Sequence, residues 1–439
     1  MGENGIHTNG GDLAGGILRL RCAVKNYEWG KVGSDSLVAG LHEANSGSRV
    51  DPAVPYAELW MGTLESGPSH VVPSAENGSG SVTLKSWISE NPNVLGRTVL
   101  EKWGCDLPFL FKVLSVEKAL SIQAHPDKDL AVALHREQPL LYGDDNHKPE
   151  MALALSPFEA LCGFVSLQEL KEVLESVPEI TELVGNQVAD KILQVDEGDG
   201  DERAKPLVRL IFTQLMSAGS DATKDAVSKL TNRLRSKGTD GELLSEKDGL
   251  AVRLGRQYPG DIGVMSSLFL NYVKLKPGEA LYLGANEPHA YISGECIECM
   301  ASSDNVVRAG LTPKFRDVRT LCSMLTYNLG YPEILKGFPL SPYITRYLPP
   351  FDEFEVDRCD LPSGESTVFP AVPGPSVFLV IEGKGKLQTG SSQFPVNRGD
   401  VLFAPSHTEI QVTGDNNEVK LYRAGISSRF FQRKIDEED

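Results

Sequence analysis

The sequence lacks an excess of positive charge. Its 439 residues contain 43 lysines and arginines against 60 aspartates and glutamates, which gives a formal net charge of −17. Because nucleic acids are bound mainly by basic side chains that neutralise phosphates, this balance argues against a nucleic-acid partner. It does not exclude a small anionic substrate held by a few local Lys or Arg residues.

Long apolar runs are also missing. No stretch approaches the roughly 20 apolar residues that span a bilayer, and the Gly-rich start lacks the basic and apolar regions of a signal peptide. The seven cysteines are an odd number for a disulfide framework, which predicts reduced thiols. We therefore expect a cytoplasmic protein without membrane contact, and a disordered N-terminal segment over residues 1–17.

The chain is long enough to bury two or three cores, and its patterning changes along its length. Strand-like alternation begins at Leu18, and the stretch 107–126 reads as paired strands. Helical spacing follows a capping pattern at Ser166 and Glu169, and strands are expected to resume at Met265. The helical part shows charged faces that we interpret as solvated surface without chemistry. The pattern predicts a mainly β protein with an α-helical insertion.

The short strands with regular turns favour a jelly-roll barrel. A short internal repeat, GEALY from Gly278 and GDVLF from Gly399, suggests two related barrels. We expect a catalytic domain over 18–160 and 263–335, a helical insertion over 161–262, and a C-terminal domain over 336–439.

Potential metal ligands are concentrated in the stretch from Ser121 to Glu150. Gln123 and His125 are two residues apart, so on a strand they project from the same face. Glu150 follows in the motif HKPE, and His289, in ANEPHAY, is the natural partner far downstream. Two imidazoles, a carboxylate and an amide oxygen form a mixed set suited to zinc or a similar divalent ion.

Several motifs together resemble type I phosphomannose isomerase. They are YEWG, AELWMG, QAHPDK, HKPEMALAL, ANEPHAYISGECIECMASSDNVVRAGLTPK and a C-terminal EGKGKL followed by GD. The resemblance implies a zinc-dependent enzyme of the cupin superfamily, with one zinc per chain, that interconverts mannose 6-phosphate and fructose 6-phosphate in the supply of mannose for glycan precursors. Its barrels would then be cupin-type jelly rolls.

The same resemblance assigns residues to the site. It places the metal ligands on Gln123, His125, Glu150 and His289, and the catalytic arginine on Arg308. It places further pocket positions on Trp29, Glu58, Lys112, Ser121, Lys148, Tyr291, Glu298 and Asp304.

Isomerisation through a cis-enediol requires a proton-transferring group and positive charge near the sugar. Glu298 is the favoured proton carrier, with a zinc-bound water as the alternative. Arg308 can hold the phosphate or stabilise the enediolate, and Lys148 supplies a second positive charge. The partner would be a small phosphorylated hexose, and we expect a monomer. A metal-binding cupin of another reaction class, such as an oxygenase, and a non-catalytic sugar-phosphate sensor remain the alternatives.

Overall fold

The structure, a computed structural model, describes residues 12–13, 16–72, 81–195, 201–415 and 417–438. Most of the segment 1–17 that we expected to be disordered lies outside these residues. Within that segment, Asp12–Leu13 form a short strand that pairs with the strand beginning at Ile17, and Ile17 is fully buried. The expectation of disorder is therefore wrong for these residues.

The N-terminal part alternates short strands with four helices. Side chains at three helix starts, Ser36, Thr83 and Asp127, each accept a hydrogen bond from the backbone three residues further on. The strands are β1 (Asp12–Leu13), β2 (Ile17–Arg21), β3 (Ala23–Lys25), β4 (Lys31–Val32), β5 (Pro55–Tyr56), β6 (Glu58–Met61), β7 (His70–Val71), β8 (Val82–Thr83), β9 (Phe109–Val116), β10 (Ile122–Ala124), β11 (Glu150–Ala154) and β12 (Phe158–Phe164). The helices are α1 (Leu37–Ser46), α2 (Leu84–Glu90), α3 (Arg97–Trp103) and α4 (Lys128–Glu137).

A helical segment follows, as the sequence predicted. Its helices are α5 (Leu167–Ser176), α6 (Pro178–Val184), α7 (Asn186–Leu193), α8 (Asp201–Met216), α9 (Ser220–Thr239), α10 (Glu246–Gln257) and α11 (Gly263–Ser266). Ser166 caps α5 by accepting from the backbone N–H of Glu169. The expected return to strand at Met265 is wrong, since Met265 lies in α11. Every residue of α11 is buried, which removes the periodicity that separates helix from strand.

Strands dominate the remaining chain. They are β13 (Leu270–Leu275), β14 (Ala280–Leu283), β15 (His289–Ala301), β16 (Val307–Gly310), β17 (Ile334–Leu335), β18 (Phe338–Ser341), β19 (Ile344–Tyr347), β20 (Glu355–Leu361), β21 (Ser366–Phe369), β22 (Ser376–Glu382), β23 (Lys384–Thr389), β24 (Ser392–Asn397), β25 (Val401–Ala404), β26 (Ile410–Gly414) and β27 (Val419–Gly425). Helix α12 (Val318–Met324) lies among them, and α13 (Ser428–Glu438) follows the last strand.

Two large sheets contain most of these strands, while β21, β26, β23 and β24 form a smaller sheet and β4 pairs with β5. One has the order β18-β19-β20-β27-β22-β25-β2-β7-β8, so the N-terminal strand β2 is joined to a sheet built mostly from the C-terminal part. The other has the order β17-β14-β11-β15-β9-β6-β3, with β10, β12, β13 and β16 attached. The domain boundaries and the cupin-type barrels expected from the sequence stay predictions.

The long strand β15 lies at the centre of the second sheet. It pairs antiparallel with β9, β10, β11 and β12. The stretch 107–126 therefore contains two strands as expected, but β9 and β10 each pair with β15 and not with one another. The helical segment packs on this sheet, because Ala290 and Ile292 of β15 belong to the same apolar core as its helices.

Gly294 in the middle of β15 has a backbone conformation that suits glycine, with φ of 108°. A Cβ atom there would lie 2.5 Å from the carbonyl oxygen of Pro157. We expect Gly294→Ala to destabilise the protein by about 1–3 kcal/mol through backbone strain and this close contact. Thermal unfolding would measure the loss. Gly284→Ala is the control, because a Cβ at Gly284 meets no atom within 4 Å. Equal melting temperatures for the two variants would contradict the prediction.

Candidate metal centre and cavity

Strand pairing brings the predicted site residues together. Gln123 of β10 lies opposite His289 on one side and opposite Arg308 of β16 on the other. On the far half of β15, Glu298 lies opposite Lys112 of β9. Residues separated by more than 150 positions in the chain are thus neighbours in one sheet.

His125, Glu150 and His289 form a group whose potential ligand atoms all lie within 4.8 Å of one another. The Nε2 atoms of His125 and His289 are 3.4 and 3.3 Å from the carboxylate oxygens of Glu150. All three residues are buried. Within the described part of the chain, this is the group of His, Cys, Asp and Glu side chains with the spacing that a metal ion requires.

The hydrogen bonds of the two histidines fit a metal site. The Nδ1 atom of His125 is 2.7 Å from the backbone oxygen of Asn305, and that of His289 is 2.9 Å from the backbone oxygen of Glu287. A proton on each Nδ1 leaves each Nε2 with a free lone pair, as in metal-ligating histidines. Both Nε2 atoms and one oxygen of Glu150 are buried without a hydrogen-bond partner among the described residues. These two nitrogens and this oxygen are acceptors that a bound cation would satisfy.

The charge states of the ligands also suit a metal. Burial lowers the pKa of His125 to about 4, so its ring is neutral at pH 7. Burial alone would raise the pKa of Glu150, but Lys148 and the histidines outweigh this effect and hold the pKa well below its usual range. Lys148 Nζ lies 3.0 Å from the Glu150 carboxylate. Glu150 is therefore an anion that already has one cation beside it.

A second buried charge cluster surrounds Lys112. Its Nζ lies 2.9 Å from Glu298 and 3.4 Å from Glu58. Burial raises the pKa of Glu298, although the positive charge of Lys112 opposes the shift. Trp60 completes the cluster, because its indole N–H donates to Glu58 and its ring lies 4.9 Å from Lys112 Nζ.

Both clusters border one cavity of about 510 Å³, a size that suits a small ligand. Eleven of the thirteen site residues predicted from the sequence line it, namely Trp29, Glu58, Lys112, Ser121, Gln123, Lys148, Glu150, Tyr291, Glu298, Asp304 and Arg308. His125 and His289 are the other two, and they are buried beside Glu150. The predicted residues thus surround a common space.

Two lining residues have unused polar groups. Arg308 is partly buried, which lowers its pKa, and it has no ion pair within the described residues. The hydroxyl of Tyr291 is buried without a hydrogen-bond partner in the same part of the chain. Burial and the charge of Glu298 raise the pKa of Tyr291 well above its usual value, so it remains a neutral donor. The cavity therefore offers a guanidinium and a hydroxyl to an anionic, hydroxylated ligand.

Other lining residues were missed by the sequence analysis. They include Tyr27, Trp60, Lys118, Tyr258 and Lys314. Tyr27 and Trp60 belong to the motifs YEWG and AELWMG, so the motifs that carry the resemblance contained the signal for both. Tyr258 carried no such signal, since it follows helix α10 in the segment that we interpreted as lacking chemistry. Tyr258 nevertheless lines the cavity.

Fold and site define a class of protein: a mainly β protein with a helical insertion and a buried His–Glu–His group, suited to a metal ion, beside buried lysines. Models of three type I phosphomannose isomerase domains match the chain, the catalytic domain at 17–167, the helical insertion domain at 183–270 and the C-terminal domain at 347–392. The chain belongs to the type I phosphomannose isomerase family. It is an enzyme of the mannose-6-phosphate isomerase class, as its motifs predicted.

Individual relatives agree with this membership. The chain is 70% identical over 440 residues to mannose-6-phosphate isomerase 2 of Arabidopsis thaliana, covering 98% of this chain and 100% of the relative. It is 41% identical over 419 residues to mannose-6-phosphate isomerase of Homo sapiens, covering 93% and 98%. A mannose 6-phosphate isomerase crystallised with zinc and yttrium has a similar fold, with a TM-score of 0.78 at 27% identity, covering 94% of this chain and 99% of that one.

The metal centre predicts the behaviour of a histidine variant. We expect His289→Ala to lose bound zinc, because one of three clustered ligands is removed and Glu150 loses a neighbour. Metal analysis of the purified protein would measure zinc per chain. His70→Ala is the control, since His70 lies in β7 of the other sheet. Unchanged zinc stoichiometry in His289→Ala would remove His289 from the ligand set.

Proposed function

We propose that this chain is a zinc-dependent aldose–ketose isomerase that interconverts mannose 6-phosphate and fructose 6-phosphate by proton transfer through a cis-enediol. The observation that carries the proposal is the convergence of two imidazole nitrogens and a carboxylate beside a cavity of suitable size. All three groups are buried, and both nitrogens and one carboxylate oxygen have no hydrogen-bond partner among the described residues. The family membership and the names of the relatives supply the substrate.

Gln123, His125, Glu150 and His289 would hold one zinc ion. Gln123 lines the cavity and lies opposite His289 in the sheet, which supports it as the fourth ligand. A bound zinc would supply Lewis acidity at the sugar carbonyl and a lowered pKa for water. A site with iron for oxygen chemistry would favour two histidines and one carboxylate with open positions, so an additional amide oxygen favours the isomerase.

Glu298 is the residue that we assign to proton transfer. It is buried, and its raised pKa brings it closer to the operating pH than an exposed glutamate would be. Lys112, 2.9 Å away, keeps the carboxylate oriented and limits the shift. A group poised in this way can take a proton from one sugar carbon and return it to the next.

We assign to Arg308 the binding of negative charge, either on the substrate phosphate or on the enediolate as it forms. A guanidinium stays protonated throughout the reaction and can form paired hydrogen bonds with a phosphate or an enediolate. Its lack of an ion pair within the described residues leaves it available to the ligand. Lys148 already contacts Glu150, so it would neutralise charge near the metal centre.

Tyr291, Asp304, Ser121 and Trp29 would shape the substrate pocket, since all four line the cavity. We further propose that the protein is a monomer and that it is cytosolic. The seven free cysteines agree with a reducing compartment. No helix in the described ranges is both long and apolar enough to cross a bilayer. A fold of two cupin-type barrels also belongs to this proposal.

A coupled enzyme assay tests the activity directly. Purified protein supplied with mannose 6-phosphate should yield fructose 6-phosphate, lose this activity after thorough chelation, and regain it when zinc is added. The physical reason is that the buried nitrogens and carboxylate lose the cation they converge on. Full activity after chelation, with metal analysis showing no residual ion, would reject the metal role.

Replacement of Arg308 tests how the site binds the negative charge of the ligand. We expect Arg308→Ala to lower kcat by about 10²–10³-fold if it stabilises the enediolate, as removal of a preorganised donor does, while zinc content stays normal. A rise in KM with unchanged kcat would assign it to the phosphate instead. Arg256→Ala is the control because Arg256 is exposed on α10. Loss of zinc in Arg308→Ala would contradict both roles and place Arg308 in support of the metal centre.

A further inference from the structure

We infer that Asp144 is a positioning residue that holds the metal ligand His125 and the segment leading to Arg308 in register with the loop that leads to Glu150. This inference rests on the proposed metal site. Asp144 does not line the cavity, and it precedes the HKPE motif by a few residues.

Asp144 connects two loops that are distant in sequence. Its carboxylate accepts hydrogen bonds from the Ser303 hydroxyl at 2.8 Å, the Asp304 backbone N–H at 2.8 Å and the Asn305 side-chain amide at 3.1 Å. Its backbone oxygen accepts a further bond from the same Asn305 amide at 2.7 Å. One residue thus binds three consecutive positions of the facing loop.

The bond from Asn305 leads directly to the metal centre. Asn305 and Ser303 are almost completely buried, so their positions are fixed by these partners. The backbone oxygen of Asn305 lies 2.7 Å from Nδ1 of His125. Hydrogen bonds of this kind set the tautomer and ring orientation of ligating histidines. Asp144 therefore acts on His125 through Asn305.

Both connected loops also lead into the cavity. The loop of Asp144 continues to Lys148 and Glu150, while the facing loop contains Asp304 and continues to Arg308 in β16. Asn146 reinforces the link, because its side-chain amide donates to the backbone oxygen of Ser302 at 3.0 Å. The distance between the metal ligands and Arg308 is consequently set by this network as well as by the sheet.

Three proteins, the wild type, Asp144→Ala and Asp145→Ala, test the inference. Asp145 is a matched control, since it occupies the same loop and is exposed. The readouts are apparent zinc affinity by chelator competition, melting temperature of the metal-free protein, and kcat and KM at saturating zinc. We expect Asp144→Ala to bind zinc about 10–100-fold more weakly, as loss of a support for a metal ligand does, and to show a raised KM even with zinc bound. Asp145→Ala should match the wild type.

A purely structural role gives a different result. Asp144→Ala would then melt at a lower temperature while its zinc affinity and KM equal those of the wild type, and this outcome would overturn the inference. If Asp144→Ala does not fold, Asp144→Asn serves instead, since it keeps the acceptor for Ser303 and places a donor against the Asp304 N–H. It should show an intermediate loss of zinc affinity, and wild-type affinity would again overturn the inference. A wild-type protein that binds no zinc would reject the proposed function itself.

Discussion

Neutralisation of charge within a buried cavity is the constraint on which the site depends. Glu58, Glu150 and Glu298 are all buried, and two buried lysines, Lys112 and Lys148, contact them. Removing one partner of a buried ion pair costs about 3–5 kcal/mol, because it leaves an uncompensated charge. Three carboxylates exceed two ammonium groups by one charge, so a divalent cation at Glu150 would make this region net positive. That sign suits a phosphate ester, which explains why an acidic chain can serve an anionic ligand.

The strand β15 and its partner strands fix the positions of the charged residues and of the candidate metal ligands. His289, Tyr291 and Glu298 all lie on β15. Three of its four partner strands, β10, β9 and β11, contribute Gln123, Lys112 and Glu150, and β10 leads directly to His125. A hydrogen-bonded ladder holds positions more accurately than surface loops do. The region that comes from loops, around Asp304, is the one that contains a dense network of side-chain hydrogen bonds. In this loop, side-chain hydrogen bonds take the place of strand pairing.

The sequence predicted residue types and local spacing well, and long-range pairing poorly. The two-residue spacing of Gln123 and His125, and the matching motifs around Glu150 and His289, led to four candidate ligands. The structure clusters His125, Glu150 and His289 and places Gln123 in the cavity wall. The register between strands could not be predicted in this way, because it depends on how whole faces of the sheet pack. Nothing in local periodicity shows that Lys112 lies opposite Glu298, or that β2 joins a C-terminal strand. Family motifs supplied the positions that spacing could not.

The helical insertion shows why the remaining part of the site escaped prediction. At the end of α10, Gln257 accepts a hydrogen bond from the backbone N–H of Ala119, and Tyr258 donates to the Ala119 oxygen at 2.5 Å. Lys118 lies over the Tyr258 ring at 4.2 Å, and both residues line the cavity. The insertion thus holds the chain segment that leads into Gln123. Its own sequence is patterned for a helical core, and a single aromatic residue after a helix gives no sign of this contact. The helices therefore contact the cavity wall through two side chains, while their apolar faces pack in the core that they share with β15.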